Sequence, residues 1–348
     1  MEKLKLNNTP VRTARNFAIN NIELPVEIPN KIKNFESVEI TNSKSNIDNE
    51  VSNKELAYGI GKILEELVFK NANNKIRIQT TKQKEDIKII YNFDENNLNL
   101  INQIEILAEN DANIIIIYKS KTSKQCFHTG IIRTIAKENV QLNVTIVNLL
   151  NEETNNFEAI ENTLYQNSNV KYTIIDIGGK TSVSNYYSNI IGNNANNVLK
   201  TIYLGKDKQI KDLNYIAELR GEKSNIDIDV QGALNDEAKK NFKGTIDFKR
   251  GCKKSKGNEN ESCMLLSNRA KSIALPMLLC TEEDVEGNHS TSSGKVDEKQ
   301  LFYIMARGIS YKEAVKLIVK SKFNKIIETV QDSELKEEIL KEIDERLN

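Results

Sequence analysis

Val285-Glu286-Gly287-Asn288-His289-Ser290-Thr291-Ser292-Ser293-Gly294-Lys295-Val296-Asp297-Glu298-Lys299-Gln300-Leu301-Phe302-Tyr303 is where this chain changes period. Upstream of it, apolar residues come in short β-rich runs. Downstream, they recur every three or four positions, as helices require. The stretch predicts a tight polar turn holding His289, one of only two histidines, and then a helix. Asp297 is placed to cap that helix, with Gln300 three residues on. Function is sought at this junction, because it joins a strand-rich body to a helical tail.

Working upstream, the β-rich runs fall at 76–79, 87–91, 114–118, 144–149, 170–177, 201–204, 215–219, 226–230, 245–248, 264–266 and 277–279. Gly, Asn, Asp or Ser punctuates most of the gaps. The alternation Ile226-Asp227-Ile228-Asp229-Val230 turns one face inward and one to water. Beyond residue 170 there is little room for crossover helices, which argues against a doubly wound α/β sheet. Strands spaced by roughly 12–18 residues permit a sandwich, a barrel or a β-solenoid. Two Asn-rich tracts, 151–156 and 189–197, suit turns between stacked strands, although a general excess of Asn accounts for them equally well.

Downstream, Leu301, Ile304 and Met305 form an apolar stripe that Gly308 ends. Ser310 and Glu313 make a second capping box, ahead of Ala314, Leu317, Ile318, Ile326 and Ile327. A third helix begins near Asp332 and Ser333, with Leu335, Ile339, Leu340, Ile343 and Leu347 on one face. Three such helices make a docking module or an end cap, and a solenoid needs a cap where its last rung is open. At the other end, residues 1–50 are polar and irregular, and 42–52 reads as a mobile linker. Residues 53–71 read as an amphipathic helix through Leu56, Ile60, Ile63, Leu64 and Leu67. The chain therefore divides into an N-terminal irregular and helical segment (1–74), a strand-rich core (75–294) and a C-terminal helical docking domain (295–348).

Composition sets the outer bounds. The 348 residues are 28% charged and 39% hydrophobic, with a formal net charge of zero. The absence of a basic excess argues against nucleic-acid binding. No apolar run approaches the length that spans a bilayer, and the N-terminus lacks a signal-peptide core, so a soluble, cytoplasmic protein with no membrane partner is expected. The four cysteines, Cys126, Cys252, Cys263 and Cys280, include no C-x-x-C pair and are expected to be reduced.

Two segments tempt as phosphate loops. Gly178-Gly179-Lys180-Thr181 follows a strand, but Ile174 stands where the first glycine of a P-loop belongs. Gly294-Lys295 is followed by Val296, which offers no hydroxyl for Mg²⁺. The chain is therefore expected to have no nucleotide site of its own. Cys126 and His128 share one face of a strand and read as a partly buried pair without a role, in preference to metal ligands. Cys263, Cys280 and His289, separated by 17 and 9 residues, are the sharper candidates, since thiolate and imidazole suit iron–sulfur or zinc chemistry. Against this, free cysteines are often plain core residues.

The junction resembles the SufB/SufD family of iron–sulfur cluster assembly proteins. The resemblance rests on Asp284 to Thr291 with its His289, on Gly294 to Tyr303 with its Gln300-Leu301-Phe302-Tyr303 helix, and on Arg307-Gly308-Ile309. Thr9-Pro10-Val11-Arg12-Thr13 is similar to the family's opening motif. The resemblance implies a mainly β fold, a right-handed parallel β-helix (β-solenoid) flanked by N-terminal and C-terminal helical segments. It also implies a non-enzymatic scaffold of the Suf system that carries a transient Fe–S cluster. The implied partners are a SufC-like ATPase held by the C-terminal helices, a SufB/SufD paralogue or a second copy of the chain as a homodimer, and a cysteine desulfurase as sulfur donor.

Under that resemblance His289 is the first-ranked ligand or transfer residue. Cys263 and Cys280 follow as thiolate ligands or persulfide acceptors, and Glu261 falls nearest the place of a SufB-type cysteine. Phe302, Tyr303, Arg307 and Ile309 become candidate ATPase anchors. Gly287 stands where some SufD-like members carry a cysteine, and Ser290 where SufB-like members carry a glutamate; the chain is also shorter than a typical SufB, so the resemblance is to a compact, SufD-like member whose ligand set stays open. Two other classes compete: a β-solenoid enzyme acting on polysaccharide, and a purely structural partner without cluster ligands.

Overall fold

The computed structural model describes residues 3–11, 23–25, 28–29, 32–42, 46–81 and 84–348. Four short strands come first: β1 (Lys3–Lys5), β2 (Glu23–Pro25), β3 (Val38–Asn42) and β4 (Asn46–Asp48), followed by helix α1 (Lys62–Asn71). The body then runs β5 (Asn74–Thr80), β6 (Glu85–Phe93), β7 (Asn99–Ala108), β8 (Ala112–Ser120), β9 (Phe127–Ala136), β10 (Gln141–Leu149), β11 (Asn155–Leu164) and β12 (Asn169–Asp176). It continues with β13 (Thr181–Ile190), β14 (Asn196–Gly205), β15 (Ile210–Leu219), β16 (Asn225–Leu234), β17 (Lys239–Phe248), β18 (Ser255–Leu265), β19 (Lys271–Cys280) and β20 (Val285–Lys295). Three helices end the chain: α2 (Glu298–Met305), α3 (Tyr311–Ile327) and α4 (Ser333–Arg346).

The even strands β6 to β20 stack in parallel into one sheet and the odd strands β5 to β19 into another. Each turn of the chain adds one strand to each sheet, which is a parallel β-solenoid. A step between turns is about 30 residues long, as where Ser255 pairs with Val285. Apolar side chains from both sheets meet in the lumen. Aromatic rings run along it: Tyr91 stacks on Tyr118 with centroids 5.3 Å apart, and Tyr172, Tyr186, Tyr215 and Phe242 follow edge to face. Stacked rings of this kind add to burial itself.

Asparagine holds the corners. Asn139, Asn167 and Asn194 occupy equivalent corners of successive turns, each with φ near +60°, a region Asn tolerates better than most residues. Their amides stack, Asn167 donating to Asn139 at 2.9 Å and Asn194 to Asn167 at 3.3 Å. The Asn-rich tracts thus sit at corners and strand starts, where they make a hydrogen-bonded ladder. Gly178 and Gly179 form another corner. A Cβ on Gly178 would lie 2.2 Å from the Leu150 carbonyl oxygen of the turn below, and Gly179 has φ +84°. Close stacking, and not phosphate binding, accounts for that glycine pair.

The two ends differ. At the first turn, β3 and β4 pair antiparallel with β6 and β5 and cover both edges. At the last turn, β19 and β20 are the terminal strands of their sheets. The tail helices do not cap this end, contrary to one of the two roles their pattern suggests. Val319, Phe323, Ile326, Ile339 and Ile343 of α3 and α4 pack on Ile117, Val147, Ile175 and Ile202, on the outer face of the even-strand sheet. Lys88 ties Asp332 at 2.7 Å, and Arg346 donates to the Leu150 carbonyl at 2.8 Å. No described helix is long and apolar enough to cross a membrane.

Several local expectations change. Helix α1 begins at Lys62, not at residue 53; Gly59 and Gly61 lie just ahead of it, and Leu56 and Ile60 reach the same apolar cluster from irregular chain. Strands β7, β9, β11 and β13 lie where no β-rich run is read from the sequence, because their inward faces carry polar groups that pair with each other across turns. The polar stretch at 285–295 is a strand, not a turn, since Asn288, Ser290 and Ser292 bond to Asn258, Asn260 and Ser262 below. Of the linker read at 42–52, residues 46–48 form β4, and 43–45 lie outside the described residues. Of Thr9 to Thr13, the described part ends at Val11.

Candidate functional site

The open last turn is built on β18, β19 and β20. Parallel pairing places His289 directly over Glu259, Thr291 over Glu261 and Ser293 over Cys263. Residues in register on parallel strands share a face. Glu259 faces the lumen, since a Cβ on Gly244 of β17 would lie 2.1 Å from its carboxylate. His289 therefore sits on the lumen side of the terminal strand, exposed because no further turn among the described residues covers it.

Below it lies a buried polar floor. Lys240 of β17 bridges to Glu261 of β18 at 2.8 Å, and the Tyr203 hydroxyl donates to the same carboxylate oxygen at 2.9 Å. Cys263 is buried beside them; burial pushes its thiol up, with Lys240 pulling the other way. Both oxygens of Glu259 are buried without a hydrogen-bond partner. Burial, with Glu261 adding its charge, pushes the Glu259 carboxyl up to about 8. Glu259 was not among the residues picked out from the sequence. Its signal was the solenoid step: it lies 30 positions before His289, readable only once the register is known.

The cysteines separate by environment. Cys280 is exposed at the end of β19, in register with buried Phe248, and its thiol donates to the Glu282 carbonyl at 2.8 Å. Burial, with the charge of Glu282 adding to it, pushes the nearby Cys252 thiol up to about 11. A thiol held up in this way is a poor nucleophile or ligand until a metal or base removes its proton. Among the described residues, no three His, Cys, Asp or Glu side chains converge to hold a metal. His289, Cys263, Cys280 and Glu261 share the last turns without forming a closed ligand set.

Cys126 and His128 belong to the core. The His128 ring is fully buried, its nitrogens against the side-chain amides of Asn102, at 2.9 Å, and Asn156. Burial pushes it down to about 4, and Cys126 up to about 11. The pair is fully rather than partly buried.

Helix α2 leaves the last turn with no buried residue. Asp297 caps it, accepting from the Lys299 amide at 2.8 Å and the Gln300 amide at 3.4 Å. Phe302 and Tyr303 are 76% and 62% exposed, so neither packs against the last rung. The Arg307 guanidinium lies 3.6 Å from the Tyr303 ring centroid and fixes its orientation, while Ile309 is half-buried at the turn into α3. Met305, Tyr311 and Leu317 add to the exposed apolar surface.

Comparison with known proteins adds a family. Residues 91–322 match the model described as SUF system FeS cluster assembly, SufBD core domain. The iron–sulfur cluster assembly protein SufD of Bacillus subtilis is 24% identical over 237 residues, 67% of this chain and 54% of that protein. A SufBD family iron–sulfur cluster assembly protein of Pyrococcus horikoshii is 25% identical over 249 residues, 68% of this chain and 55% of its own. The chain thus spans about half the length of these curated relatives.

Proposed function

The chain belongs to the SufBD family of iron–sulfur cluster assembly proteins, and from that premise we propose that it is a scaffold subunit on which a cluster is formed and passed on. Its work is binding and positioning, and the cluster is cargo. One observation carries this reading: the solenoid is covered at its first turn and open at its last, with His289 on the lumen side of the open end and an exposed apolar helix beside it.

Two long terminal strands with unpaired edges suit a second solenoid, either a SufB/SufD paralogue or another copy of this chain. The incomplete ligand set supports the same reading, since a partner's side chains complete what one chain leaves open. His289 ranks first among the ligands, and exposed Cys280 is the best placed to accept sulfur from a cysteine desulfurase. Cys263 and Glu261 lie beneath, on the floor. The surface around Phe302 and Tyr303, oriented by Arg307 and Ile309, is the proposed grip for a SufC-like ATPase, which would supply the nucleotide chemistry. The same incompleteness favours a second reading, in which the chain only positions the ATPase and its partner.

Co-purification with a SufC-like ATPase, and the native mass of the complex with and without iron and sulfide, tests both. Replacing Phe302 and Tyr303 by Ala should weaken ATPase binding about tenfold or more, with thermal stability unchanged because both side chains are exposed. Full retention of binding would remove the docking assignment. Loss of iron and sulfide uptake on His289→Ala separates the ligand-bearing scaffold from the structural partner.

A further inference from the structure

We infer that Glu259 is a second ligand for ferrous iron at the open end of the solenoid, acting with His289. This rests on reading that end as an iron site. The two residues are in register on adjacent parallel strands and share the lumen face. Such neighbours stand about 4.8 Å apart, close enough for an imidazole and a carboxylate to meet at one metal with bonds of about 2.0–2.2 Å. Mixed imidazole and carboxylate donors suit a divalent transition ion.

The Glu259 carboxylate has the isolation that a ligand awaiting its ion shows. The side chain is 2% exposed, and neither oxygen has a hydrogen-bond partner. The neighbouring carboxylate, Glu261, is served by both Lys240 and Tyr203, so the same floor provides a cation for one acid and nothing for the other. An unmet buried carboxyl is costly, and native structures rarely leave one without a reason. Gly244 opposite leaves it room, because any Cβ there would collide with it. Turning toward the open end breaks no hydrogen bond, since the carboxylate makes none. Water, sulfide or a partner chain would supply the remaining ligands.

The test uses the full chain without oxygen or sulfide. Ferrous iron alone is titrated into wild type, Glu259→Gln and His289→Ala, and Co²⁺ is added separately so that its visible spectrum reports the ligand set. Both substitutions should weaken Fe²⁺ binding about tenfold or more, and Glu259→Gln should change the Co²⁺ spectrum at saturation. The same variant should melt close to wild type, because it exchanges one unmet group for another of the same size and breaks no bond. If His289→Ala weakens binding while Glu259→Gln leaves affinity and spectrum unchanged, Glu259 is no ligand and the iron site stands without it. If neither variant weakens binding, both the inference and the iron-site reading fall. If Glu259→Gln weakens binding only alongside a lower melting point and an unchanged spectrum, Glu259 is structural and the inference is overturned.

Discussion

Lowering the pH from about 7.5 to 5 should cost this protein about 2 kcal/mol through His128 alone. The ring is fully buried between Asn102 and Asn156, and burial holds it down to about 4, against 6.5 in the unfolded chain. As pH falls, the unfolded chain takes up the proton first. The contribution is therefore complete above 6.5 and is lost progressively toward 4, reaching about 3 kcal/mol. Two buried carboxyls act in the opposite sense. Glu158, pushed up to about 7, and Glu259, up to about 8, are most favourable to folding when protonated, and they weaken the fold as pH climbs through those values. The measurement is thus a difference. Urea unfolding of wild type and His128→Gln is followed by circular dichroism across this pH range, and the carboxyl contributions cancel. In a His289→Ala background His128 is the only histidine, so its ring resonance can be titrated directly. A ring midpoint near 6.5, or parallel pH profiles for the two proteins, would refute the buried neutral imidazole and return Cys126 and His128 to the list of candidate metal ligands.

Two further outcomes are expected. Phe323→Ala should cost about 3–5 kcal/mol by opening a cavity between α3 and the outer face of the even-strand sheet, seen as a lower melting point and faster proteolytic release of the tail. An unchanged protease pattern would mean the tail is held elsewhere. Lys240→Met should cost about 3–5 kcal/mol by leaving Glu261 buried without its cation, and adding Glu261→Leu should recover most of it. Failure of the second change to rescue the first would show that the pair does not act as a unit.

Much of this architecture was legible in one sequence because it is local. Alternation such as Ile226 to Val230 depends only on the strand's two-residue period, and the caps at Asp297, Ser310 and Asp332 bond backbone amides within three residues. Strands β7, β9, β11 and β13 were harder. Their inward faces carry Asn102, His128, Asn156 and Ser182, which look like loop residues until each meets the next across a turn. Likewise, nothing in Val285 to Lys295 says strand except the ladder of Asn and Ser beneath it.

The candidate site divides in the same way. His289, Phe302 and Tyr303 stood out by residue type and position in a recognisable stretch. Glu259 did not, because its meaning comes from a neighbour one full turn away and from an oxygen pair left unmet. The chain's own periodicities determined that strands and helices would form, and where the one gave way to the other. Only the stacked structure decided the register, laid α3 and α4 along the side of the solenoid, and left the last turn open over a buried acid. Those outcomes depend on contacts between residues about 30 positions apart or more, which no local pattern encodes.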